Sequence, residues 1–236
     1  MTVLTLGVDL AAADERTAVA LVEWADGRAT LRELALGVTD ERIAADIGRV
    51  GKAGIDCPLG WPAAFVSFVA DHQTGRVTAP VPPRRDLAYR VTDQLLRDRP
   101  GPNPLSVSAD LIAHVAFRCA GLLARLGPVD RTGDGVIVEV YPAAALHRWG
   151  LPHSGYKKAG QGSLLDHLVA AAPWLDLGDF EPLCRRSHDA FDAVVAALAA
   201  RAAALGRTLA PNEPQRAAAR TEGWIAVPTC DLDELS

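Results

Sequence analysis

The chain has 236 residues, and what it lacks narrows its chemistry first. Its four cysteines, Cys57, Cys119, Cys184 and Cys230, lie far apart, and no CxxC pair occurs. Neither a thiol-based zinc site nor a disulfide framework is therefore expected, and a reducing, cytoplasmic setting fits best. No stretch reaches the roughly 18 consecutive apolar residues of a membrane span. The N-terminus carries no basic leader ahead of an apolar run, so no membrane association is expected. Lysine occurs only at Lys52, Lys157 and Lys158. The net charge of -5 and isoelectric point near 5.7 leave no basic footprint. Attraction of nucleic acid by the whole surface is not implied, while a local basic groove stays open. HExxH, GxGxxG, GxSxG and GxxxxGK[ST] are all absent, which removes the best-known signatures of zinc peptidases, dinucleotide binders, serine hydrolases and P-loop enzymes.

What is present is a well-filled globular chain. At 49% hydrophobic and 22% charged residues, it suits one large domain, or a core domain with an insertion. The stretch Val3 to Ala11 reads VLTLGVDLA, apolar on both faces as a central strand is. Asp9 is its one charge. A carboxylate there either caps the following turn or serves as a metal ligand or catalytic group at the edge of an α/β sheet. A second strand over Thr17–Trp24, a turn at Asp26-Gly27 and a third strand over Ala29–Leu36 predict an antiparallel meander. Thr39-Asp40-Glu41 then starts a helix that crosses to a fourth strand, Lys52–Asp56, expected parallel to the first. This strand too ends in an acid, Asp56.

From about Trp61 to Leu126 the pattern turns helical. Pro62–His72 reads as a short amphipathic helix with Phe65, Phe68 and Val69 as its contacts, and Ser108–Leu126 as a longer one. Between them lies the most basic part of the chain, with Arg84, Arg85, Arg90, Arg97 and Arg99. Helical and strand periods both fit it. It is either a solvated element balanced by Asp86, Asp93 and Asp98 or a clamp for phosphates. A fifth strand, Val136–Val140, carries Glu139 near its end, and Pro142 then suits the first turn of a helix. Lys157 and Lys158, in the loop Leu151–Gly162, are surface solubility residues or an anion contact. A helix over Ser163–Ala172 and an acidic connector, Asp176–Glu181, follow. Ser187 is a good N-cap for the last long helix. There Asp189 and Asp192 share a side by their i, i+3 spacing, in line with small alanines that would let the helix sit close to a sheet. Gly223–Pro228 reads as an edge strand.

Asp9, Asp56, Glu139, Asp189 and Asp192 thus come from three strand ends and one helix start. So many carboxylates cannot converge ionised without a cation. Hard oxygen-binding ions, Mg²⁺ or Mn²⁺, are the natural partners, and two such ions about 4 Å apart can hold the attacking and leaving oxygens of a phosphodiester displacement.

Three opening strands, a helix, further strands and a late acidic helix resemble the ribonuclease H-like fold. Within it the chain resembles the DUF429 family of predicted ribonuclease H-like nucleases. The matching stretches are GVDLA at Gly7–Ala11, GIDCPLG at Gly54–Gly60, EVYPAA at Glu139–Ala144, YKK at Tyr156–Lys158, HDAFDAVVAAL at His188–Leu198 and EGWI at Glu222–Ile225. The late D-x-x-D on a helix is similar to the arrangement in Holliday-junction resolvases. The resemblance implies an α/β fold with a mixed five-stranded sheet, flanking helices and a helical insertion, and metal-dependent nuclease chemistry on RNA or DNA, short or structured. It implies Asp9, Asp56, Glu139 and Asp192 as metal ligands, Asp189 as a fifth acid, and His188 as a group that orients water or replaces a ligand. Lys157 and the Arg84, Arg85 and Arg90 group would hold phosphates. Two other functions share the topology: an actin-like ATPase or phosphotransferase, and a non-catalytic binding module.

Overall fold

The computed structural model describes residues 2–153 and 162–236. The expected meander is present: β1 (Val3–Asp9), β2 (Ala18–Ala25) and β3 (Arg28–Leu36) pair antiparallel in sequence order. Asp26 and Gly27 join β2 to β3, both at positive φ, as a tight hairpin turn of matching twist requires. Thr39 caps α1 (Asp40–Ile47) by accepting from the Arg42 N–H. The chain then enters β4 (Lys52–Asp56), parallel to β1. Four helices follow before the next strand: α2 (Ala63–Gln73), α3 (Arg84–Ala88), α4 (Val91–Arg97) and α5 (Ile112–Leu126). β5 (Ile137–Glu139) pairs parallel to β4, and α6 (Pro142–Arg148) opens with proline in its first turn. After α7 (Gly162–Ala171), the two-residue β6 (Leu175–Asp176) pairs parallel to β3. α8 (Glu181–Arg186), α9 (His188–Ala204) and α10 (Glu213–Glu222) complete the α-helices among the described residues. The architecture is α/β, with a mixed sheet in the order β5-β4-β1-β2-β3-β6.

The sheet has six strands where five were expected. The extra one, β6, ends at the first residue of the expected acidic connector and leaves no sequence signal, because two residues are too few to show a period. The expected edge strand Gly223–Pro228 reduces to isolated bridges, Ile225 to Glu139 and Pro228 to Thr208. The Ile225 N–H donates to the Thr92 hydroxyl instead of to a neighbouring strand.

Alternation in β1 and β4 divides the molecule into layers. Leu6, Val8, Ala53 and Ile55 enter one core with residues of α1 and α5. The intervening Gly7 and Gly54 face α9. A Cβ built on Gly7 would stand 1.9 Å from the Ala193 carbonyl oxygen, and one on Gly54 2.7 Å from that of Ala196. The glycines let helix backbone rest directly on strand backbone. Every residue of α9 from Ala190 to Ala200 is buried, so its small-residue composition serves close approach on more than one side.

In the helical stretch the basic segment resolves into α3 and α4, broken at Tyr89 and Arg90. α5 begins at Ile112 rather than Ser108. The Ser106 and Ser108 hydroxyls donate to the Ala88 and Leu87 carbonyls, so these serines build a turn and Leu111 stays outside the core. α2 buries none of its residues fully; Val69, expected as a contact, is 46% exposed. No described helix is long and apolar enough to cross a membrane.

Candidate functional site

The register of β1 and β4 sets the site. Asp9 and Asp56 are direct cross-strand partners at the C-terminal ends of two adjacent parallel strands. Strands in a sheet lie about 4.8 Å apart, so the two backbones carry their acids side by side. Both acids follow a glycine by two residues, and a strand repeats every two residues, so both share the face of Gly7 and Gly54 that α9 covers.

α9 runs antiparallel to these strands. Its C-terminal Ala203 and Ala204 share a cleft with Val3, Gly51 and Lys52 at the far end of the sheet. Its N-terminus therefore overhangs the end that carries the two acids. Ala193 and Ala197 lie over Gly7, and Ala196 and Ala200 over Gly54. Four residues earlier on a helix is about 6 Å; two residues further along a strand is about 6.6 Å. Asp189 thus continues the helix row above β1 toward Asp9, and Asp192 the row above β4 toward Asp56. Asp192 is buried, whereas Asp9, Asp56 and Asp189 are partly exposed. His188, the first residue of α9, is half-buried.

Asp189 receives a two-pronged ion pair from Arg16, Nε to Oδ2 at 3.0 Å and Nη2 to Oδ1 at 3.1 Å. Hydrogen bonding and then charge from Asp189 raise the Arg16 pKa, and Asp9 adds to the attraction. Arg16 is thus a cation at the same edge, in the turn after β1, and sequence reasoning missed it. The only signal available was its place in the Asp14–Arg16 turn that follows the first acid. Arg118 of α5 holds this turn from beneath. It donates to the Ala11 carbonyl at 2.9 Å and the Thr17 hydroxyl at 2.6 Å, and pairs with Asp14 and Asp40.

Glu139 goes elsewhere. Its register partner is Ile55, not Asp56. Ile55 faces the α1 and α5 side, and Glu139's neighbours Val138 and Val140 face the α9 side, so Glu139 leaves the sheet on the face opposite Asp9 and Asp56. There both its oxygens accept from Arg90, Nη2 to Oε1 at 2.6 Å and Nη1 to Oε2 at 2.7 Å, while the Leu59 N–H donates to Oε2 at 3.0 Å. Arg90 also donates to both oxygens of Asp93 and to the Glu222 carbonyl. All three charged side chains are buried. Burial raises the Glu139 pKa against the pull of Arg90. Burial also works to lower the Arg90 pKa, but Glu139 and Asp93 outweigh it and raise it. The Glu222 carboxylate accepts from the Ala63 and Val91 N–H groups, tying the starts of α2 and α4 to the end of α10.

The expected phosphate clamp is thereby divided. Arg90 is internal, Arg85 pairs on the surface with Asp98 at 2.6 Å, and Arg84 is exposed on α3. Tyr156, Lys157 and Lys158 lie outside the described residues. Among the described residues, no three His, Cys, Asp or Glu side chains gather closely enough to make a ready metal cage. The donor set at the sheet edge is two adjoining carboxylates, with Asp192 on the helix above. That suits a hard, oxygen-binding cation better than a metal that prefers imidazole or thiolate ligands, because Mg²⁺ is usually held by one or two carboxylates together with water and substrate phosphate.

A cleft of about 230 Å³ opens beside Asp56. Its lining includes Pro104, Leu105, Ile112 and Tyr141 together with the buried Arg90, Asp93 and Glu139. The Tyr141 hydroxyl donates to the Asn103 carbonyl at 3.3 Å, and burial, with some help from Asp56, pushes its pKa up to about 12.

A family model described as "Protein of unknown function (DUF429)" matches residues 7–216. No curated protein and no solved structure matches the chain.

Proposed function

This chain belongs to the DUF429 family, and we propose that it is a divalent-metal-dependent phosphodiesterase of ribonuclease H-like type that acts on nucleic acid. The observation that carries this reading is the pairing of Asp9 with Asp56 at the C-terminal edge of parallel strands, beneath the acidic start of α9. An antiparallel three-stranded opening followed by two parallel strands on the other side of β1 supports the ribonuclease H-like topology.

In this reading Asp9 and Asp56 would hold Mg²⁺ or Mn²⁺, with Asp192 as the third donor. The ion, when bound, neutralises charge building on phosphate oxygens and makes water a better nucleophile. The protein's own share is orientation. The glycine seats of α9 fix Asp192 relative to the strand acids. Arg16 offers a guanidinium to a phosphate at the rim, in exchange for its bond to Asp189. Glu139 acts as a positioning residue: through Arg90 it holds α4 and the loop at Leu59, which carries the chain away from Asp56. The short basic inventory among the described residues of the site favours short or structured nucleic acid over a long duplex.

The test is a cleavage screen over short single- and double-stranded RNA and DNA and branched DNA, with chelator, Mg²⁺ or Mn²⁺. Metal-dependent cleavage lost in Asp9→Asn and Asp56→Asn is the expected result. Cleavage surviving both at the wild-type rate would overturn the assignment. Turnover of a nucleoside triphosphate with no cleavage would favour an actin-like phosphotransferase instead.

A further inference from the structure

We propose that the cleft beside Asp56 is a base subsite that receives one nucleobase, next to the phosphate held at the Asp9–Asp56 edge. This rests on the phosphodiesterase reading and adds the part of the substrate that is recognised. The cleft shares Asp56 with the paired acids, so a group seated in it lies beside them.

The charge of the cleft selects what enters. The lining carries three carboxylates, Asp56, Asp93 and Glu139, and one guanidinium, Arg90. Arg90 already gives its donors to Glu139, Asp93 and the Glu222 carbonyl. Among the described lining residues a phosphate would meet net negative charge and a guanidinium whose donors are already used, so the anionic part of the substrate belongs outside the cleft and an uncharged part inside. The walls agree. Pro104, Leu105 and Ile112 are apolar, and Tyr141 supplies an aromatic ring whose hydroxyl is tethered to Asn103. Apolar walls and a tethered aromatic side chain suit a flat, neutral heterocycle.

Size sets the number of rings. Pockets for drug-sized ligands run from about 300 to 1,000 Å³. At about 230 Å³ the cleft matches a single base better than a stacked pair. A duplex would have to release the base first.

The experiment measures equilibrium binding of adenosine 5′-monophosphate and of ribose 5-phosphate with and without Mg²⁺. The proteins are wild type, Tyr141→Ala, Tyr141→Phe and Leu105→Trp. The two ligands share the sugar phosphate and differ only in the base. Wild type should bind the nucleotide at least about tenfold more tightly, the size of one base–aromatic contact. Tyr141→Ala and Leu105→Trp should abolish that preference, and Tyr141→Phe should keep it. Leu105 is 58% exposed, so its replacement tests the cleft even if Tyr141→Ala fails to fold. Equal affinity of wild type for the two ligands, no binding of the nucleotide, or a preference untouched by Leu105→Trp would overturn the subsite. Methyl p-nitrophenyl phosphate, a diester without a base, separates this from the activity. If it is cleaved while no base preference exists, the phosphodiesterase stands and the subsite falls. A base preference in a protein that cleaves no diester leaves the subsite and removes the activity.

Discussion

Replacing Arg90 with Met tests whether Glu139 belongs to the internal frame of the site. Arg90 is 1% exposed, and its guanidinium makes five hydrogen bonds, four of them to the carboxylates of Glu139 and Asp93. Removing one partner of a buried ion pair costs about 3–5 kcal/mol. Here one removal strands two buried carboxylates, so we expect the upper end of that range at pH 7.5. That is a large part of the roughly 5–15 kcal/mol that holds a typical domain together. The pH dependence follows from Glu139, whose pKa burial raises even with Arg90 in place. Without Arg90 it rises further. A carboxyl with a raised folded-state pKa binds protons more readily folded than unfolded, so stability falls as pH climbs from the unfolded value through the folded one. The deficit of Arg90→Met should therefore be smaller at pH 5 than at pH 7.5. Urea melts of both proteins at the two pH values provide the measurement. The double variant Arg90→Met/Glu139→Gln should recover part of the loss, because it removes one stranded charge. A deficit below about 1 kcal/mol at both pH values would refute the account of the network, since it would fall in the range of exposed pairs. Restoration of Arg90→Met to wild-type stability by Mn²⁺ would refute the positioning role of Glu139, since a freed Glu139 would then be binding the ion.

Asp9→Asn should stabilise the metal-free protein by roughly 1 kcal/mol, since it relieves repulsion with Asp56. Wild type should gain about 2.7 kcal/mol from Mn²⁺ at a hundredfold excess over the dissociation constant, and the variant much less, read from melting curves with chelator and with ion. A lower melting temperature for metal-free Asp9→Asn would mark Asp9 as structural. Gly7→Ala should cost about 3 kcal/mol or more in denaturant melts, because its Cβ would stand 1.9 Å from the Ala193 oxygen and 2.3 Å from the Ala197 nitrogen, both backbone atoms. It should also depress cleavage by lifting Asp192 from Asp56; wild-type stability would mean that α9 does not rest on β1. Arg16→Ala should change stability by less than about 1 kcal/mol, as its partner is reached across an exposed surface, yet raise the KM for a cleaved oligonucleotide. An unchanged KM would remove Arg16 from the rim.

Local chemistry carried much of the fold on its own. The uncharged, mostly apolar run before Asp9 marked a strand covered on both sides. Asp26-Gly27 marked the hairpin, and Ser187 the start of the long helix, where its hydroxyl accepts from the Ala190 N–H. Each signal is written within a few residues, where period and capping act. The pairing of Asp9 with Asp56 was half legible: both acids end apolar strands, and a helical crossover makes those strands parallel. The short β6 and the turn at Ser106 and Ser108 were not legible, because two residues show no period and serines serve helix starts and turns alike.

The tertiary structure decided which acids share a face of the sheet. The sequence places Asp9, Asp56 and Glu139 at comparable points on three strands, but the face each one uses depends on register across strands. Asp56 lies opposite Asp9, whereas Glu139 lies opposite Ile55. Because side chains alternate along a strand, that offset of one residue sends Glu139 through the other face of the sheet, to Arg90. The same long-range packing took Arg90 out of the basic stretch and buried it, and brought Arg16 to Asp189 across 173 positions of chain. Composition and spacing name the residues able to bind a cation or an anion. Register and helix seating, set by contacts between segments far apart in the chain, determine which of them meet.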